Sequence, residues 1–100
     1  MQPETPTLDL QLDLTAVEAT ARRWATRARA LVNHATCDDR ENALGVAAFQ
    51  FDSAAQYLDR GDTGKAREAL RAARNYAGSE EAMAPELAEA ADTLLDNLQS

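Results

Sequence analysis

Several residue types are scarce in this chain, and each scarcity excludes something. Among 100 residues there is one cysteine, Cys37, so no internal disulfide can form, which fits a reducing compartment. There is one histidine, His34, which leaves little material for a metal site or a nucleophile–base pair. Aromatic residues make up 5% of the sequence, so any core must be filled by small side chains that let elements approach closely. No apolar run nears membrane-spanning length, and no basic start precedes an apolar stretch. The expectation is a cytoplasmic protein with no signal peptide and no membrane contact. Lysine is nearly absent: Lys65 is the single lysine among ten basic residues. Arginine in its place, beside abundant alanine, points to a GC-rich genome, bacterial or phage.

Positive charge is missing from both ends. Residues 1–21 carry four acids and no base, and residues 75–100 carry six acids and no base, while all ten bases fall in 22–74. The net charge of -7 argues against general binding to nucleic acid or anionic membranes. A basic centre between acidic ends favours pairing within the molecule.

Alanine and leucine supply most of the apolar content, and alanine is the strongest helix former. The periodicity predicts an all-α fold, a four-helix bundle or two stacked helical hairpins. Residues 1–7 hold two prolines and read as a flexible tail. Residues 8–14, Leu-Asp-Leu-Gln-Leu-Asp-Leu, alternate strictly. As an extended arm they would place Leu8, Leu10, Leu12 and Leu14 on one side, inviting pairing with another chain. The helical domain is then 15–100. Thr15 with Glu18 has the spacing of a capping box. The first stripe comprises Val17, Ala21, Trp24, Ala28, Leu31, Val32 and Ala35.

Asp38 with Glu41 offers a second capping box before helix two, expected over 39–60. Its inward stripe is Leu44, Ala47, Ala48, Phe51, Ala54, Ala55 and Leu58. Val46, Phe49 and Tyr57 fall on the other side, so they are surface candidates for a second protein contact. Gly61-Asp62-Thr63-Gly64 is a turn, with Asp62 or Thr63 capping helix three. That helix turns Ala66, Ala69, Leu70, Ala73, Tyr76 and Ala77 inward and stops at Gly78. Pro85 opens helix four, with Leu87, Ala91, Leu94, Leu95 and Leu98 on one face and Glu89, Asp92 and Asp96 on the other.

The stretch from Ala54 to Ala66, with Tyr57 and then Leu70 and Ala73, resembles the middle of a tetratricopeptide repeat. The resemblance covers residues 47–80 in one copy; Gln50, Ser53 and Gly78 stand where that family favours tryptophan, leucine and proline. It implies a helical hairpin and, through it, protein or peptide binding. Tyr76-Ala77-Gly78-Ser79-Glu80 also resembles the Tyr-x-x-x-Asp/Glu tail signal of small helical-hairpin proteins exported by mycobacterial-type secretion systems. Those carry a Trp-x-Gly turn where this chain has Trp24-Ala25-Thr26 within a helix.

His34, Cys37, Asp38, Asp39 and Glu41 are the one cluster with metal-ligand chemistry. A structural zinc site needs four ligands, and no second His or Cys completes one. The cluster reads instead as capping acids, a small buried cysteine and a solvent-facing histidine. Arg67, Arg71 and Arg74 share a stripe on helix three and are a candidate anion or nucleic-acid contact; Arg22, Arg23, Arg27 and Arg29 crowd helix one without forming a stripe. No spacing singles out a catalytic constellation or a phosphate loop, so no enzyme and no cofactor are expected. The expected function is a small acidic protein–protein interaction module, self-associating as a dimer or serving as an adaptor or regulatory subunit. It would use the 8–14 arm and the Val46/Phe49/Tyr57 face. The alternative is a charge-segregated regulator, binding a nucleic-acid-binding protein through the acidic last helix or nucleic acid through the arginines.

Overall fold

Four helices account for nearly the whole chain: α1 (Thr5–Asn33), α2 (Asp38–Asp59), α3 (Thr63–Ala77) and α4 (Pro85–Gln99). The structure is a computed structural model that describes the backbone of residues 5–99 and the side chains of residues 14–98. The connections are short, so successive helices run antiparallel. α1 packs on α2, α2 on α3 and α3 on α4; α4 returns to α1 through the sparsest of the four contacts. The result is an up-down bundle, all-α as the periodicity predicts, with no strand among the described residues.

The N-terminal expectation is corrected. Residues 8–14 are helical, and α1 begins at Thr5, taking in the last residues of the expected tail as well. A lone strand would leave its N–H and C=O groups unpaired, whereas a helix satisfies them within itself. Leucine and glutamine are good helix formers, and no glycine or proline separates the leucines from the amphipathic run that follows. Thr15 is therefore inside a helix and not at its start, and Glu18 pairs with Arg22 one turn on, at 3.0 Å. α1 becomes the longest helix, 29 residues or about 43 Å. α3 and α4 have 15 residues each.

The helix boundaries follow local chemistry. α2 starts after Cys37, whose side chain makes no capping bond; Asp38, Asp39 and Glu41 instead place negative charge in the first turn, where the helix dipole favours it. α3 has a true side-chain cap, the Asp62 carboxylate accepting from the Lys65 N–H. Gly61 takes a φ of +80° between α2 and α3, a region open to glycine. Between α3 and α4 the Ser79 hydroxyl donates to the Tyr76 carbonyl at 2.7 Å and accepts from the Ala82 N–H at 3.2 Å. The Arg40 guanidinium reaches across from α2 to the Ala82 carbonyl at 2.9 Å. Ala82 and Ala84 are buried, so this connection is part of the core.

The core is alanine-lined. Sixteen of the twenty-four buried hydrophobic residues among those described are alanine, which brings helix backbones close together. Phe51, Leu44, Leu70, Leu87 and Leu94 fill the centre. All seven residues of the expected α2 stripe are buried. Two expected core aromatics are not. Trp24 is half-buried beside the core, because Ala21, Ala25 and Ala28 take the innermost line of α1. Tyr76 is 45% exposed. Ala73 and Ala77 already occupy the inward line of α3, and Tyr76 lies off that line to one side.

Candidate protein-interaction surface

Two of the three exposed large hydrophobic side chains among the described residues, Phe49 and Tyr76, lie on α2 and α3. Phe49 is 65% exposed, although it sits in the middle of a helix whose opposite side is the core. Clefts open on both sides of it. Toward α3, Phe49 and Tyr57 share a cleft of about 410 Å³ with Lys65, Glu68 and Ala72. Toward α1, Phe49 borders a cleft of about 440 Å³ with Val32, Gly45 and Asp52. Lys65 holds its ammonium 5.9 Å from the Tyr57 ring centroid, within cation–π range.

Val46 lies elsewhere on the same face. It lines a cleft of about 360 Å³ with Asn42, Asn75, Tyr76 and Glu81. The structure thus brings Phe49 and Tyr57 together, and joins Val46 to Tyr76, a residue that sequence reasoning placed in the core. The signal for Tyr76 was present: a four-residue alanine spacing, Ala73 to Ala77, marks the buried line without it. Leu14 packs partly buried against the core. Leu8, Leu10 and Leu12 lie outside the residues whose side chains are described.

The segregated charge is partly consumed inside the molecule. Arg74 on α3 pairs with Asp92 on α4 at 3.1 Å, and Arg27 on α1 pairs with Glu86 on α4 at 3.4 Å. Arg29 pairs with Asp52 across α1 and α2. The arginine stripe of α3 is therefore divided: Arg74 is engaged, while Arg67 and Arg71 make no ion pair among the described residues. His34 and Cys37 are both exposed at the α1–α2 turn, which corrects the expectation of a buried thiol. Among the described residues no group of three His, Cys, Asp or Glu side chains converges on a point that could hold a metal ion. No helix there is long and apolar enough to cross a membrane.

The seam between α1 and α4 is a different kind of surface. A groove of about 260 Å³ runs along it, lined on α1 by Ala16, Val17, Thr20 and Trp24 and on α4 by Ala90, Thr93, Leu94 and Asn97. The Trp24 flank continues over Arg23 and Arg27. Its surface is mixed polar and apolar, whereas the Val46/Tyr76 cleft is mainly apolar. Comparison of the chain with models of protein families, with curated proteins and with solved structures finds no match in any of the three.

Proposed function

We propose that this protein is a small, acidic, non-enzymatic interaction module that works by docking other protein surfaces, its own copies included, in a self-associating, adaptor or regulatory role. One observation carries this: a phenylalanine 65% exposed in the middle of α2, flanked by a mainly apolar cleft toward α1 and a mixed one toward α3. Fully burying a side chain of that size contributes about 1.5–3 kcal/mol, and aromatic anchors dominate binding energy at protein interfaces. Tyr57 and Tyr76 extend the face, each combining a large apolar ring with a polar tip suited to an interface. The engagement of Arg27, Arg29 and Arg74 by acids of the same chain favours this role over the charge-segregated alternative.

Phe49→Asp tests it. Phe49 touches little of the core, so the variant should keep its melting temperature to within the small change expected of a surface substitution, about 0.5 kcal/mol. Partners retained from the source cells by the wild-type chain should be lost by the variant. Identical retention by both proteins would overturn the assignment of this face.

A further inference from the structure

We propose that the leucine-rich start of α1 docks into the α1–α4 groove of a second copy, forming an antiparallel α1–α1 dimer about a two-fold axis near Ala16. The proposal takes the chain's role as an interaction module as given and names one partner, the chain itself. Four observations lead to it. First, the start of α1 outruns α4: Asn97, close to the end of α4, already shares the groove with Ala16. Second, that leading segment has a leucine at four of the seven positions 8–14, a leucine density found nowhere else in the chain. Third, it continues α1 in line, so it cannot fold back into the groove beside its own helix. Only another chain can bring it there.

The fourth observation is the register. In an antiparallel pair, residues equidistant from the axis face one another. With Ala16 at the axis, Leu8 stands opposite Trp24, Leu12 opposite Thr20 and Asp9 opposite Arg23. Ala16 is small and exposed, which allows a close crossing there. Leucines thus meet the residues that line the groove, and an acid of the base-free N-terminus meets Arg23, which makes no ion pair among the described residues. The contact is isologous, each copy giving its leucine segment and receiving its partner's, so it closes as a dimer and does not propagate.

Light scattering on the 100-residue chain should give twice the 10.8 kDa chain mass. Dilution should red-shift the emission of Trp24, the single tryptophan, as its groove opens to water. Leu8→Asp with Leu12→Asp should give a monomer of unchanged circular dichroism at dilutions where the wild type has also dissociated. Arg23→Asp should raise the dissociation constant about tenfold or more, and Asp9→Arg in that background should restore it. A monomeric wild type at every concentration, or a dimer indifferent to the leucine and Arg23 variants, would overturn the proposal. A dimer lost only with Phe49→Asp would also overturn it, while leaving the Phe49 face standing.

Discussion

Individual side chains divide sharply into those that hold the bundle and those that decorate it. Phe51 and Phe49 are two residues apart on α2, yet one is fully buried and the other mostly in water. Phe51→Ala should cost about 3–5 kcal/mol, visible as a large fall in the urea midpoint, because no neighbouring alanine can move to fill the void. The glycines divide similarly. Gly45 lies in helical backbone with nothing within 4 Å of an added Cβ, while Gly61 holds a φ of +80°. Gly45→Ala should stabilise by about 0.5–1 kcal/mol, and Gly61→Ala should destabilise by about 1–2 kcal/mol. Thermal unfolding of the two variants in opposite directions checks both.

At the scale of the element, α1 makes the sharpest prediction. Residues 8–14 belong to it, so Gln11→Pro removes a hydrogen bond and clashes within the helix, at about 3 kcal/mol. The expected result is a measurable loss of helical ellipticity with the rest of the bundle intact; an unchanged spectrum would mean that the segment is not helical. Strict alternation of leucine misled the sequence reading because leucine two apart is also leucine four apart. Leu8 with Leu12, and Leu10 with Leu14, have helical spacing too, and backbone hydrogen bonding decides between the two forms. The remaining elements were legible in detail. Asp62 caps α3, Pro85 opens α4, and the α2 stripe is buried residue for residue, since each depends on local chemistry or one clear period. Of the candidate face, Phe49 was legible as a residue off the main stripe, and Tyr76 was misplaced by counting it into the alanine line from Ala73 to Ala77 that marks the buried side of α3 without it.

The whole molecule balances charge in a way no single helix shows. Three of its four ion pairs among the described residues join different helices, and they tie the basic middle of the chain to α2 and the acidic α4. Each partner is roughly a quarter to half exposed, so these pairs orient the packing more than they stabilise it. A double-mutant cycle on Arg74 and Asp92 should return a coupling below about 1 kcal/mol that shrinks further in high salt.

The alanine lining of the core sets the direction in which this protein can change. Most interiors are damaged by truncation, because their bulk lies in large side chains. Here most buried positions are already close to the smallest side chain that exists, and the helices have closed up accordingly. Saturation mutagenesis should therefore find glycine merely costly at these sites, and valine, leucine or phenylalanine excluded. Drift in such a sequence is confined to its surface, so partner-facing residues such as Phe49 are free to vary while the interior is not.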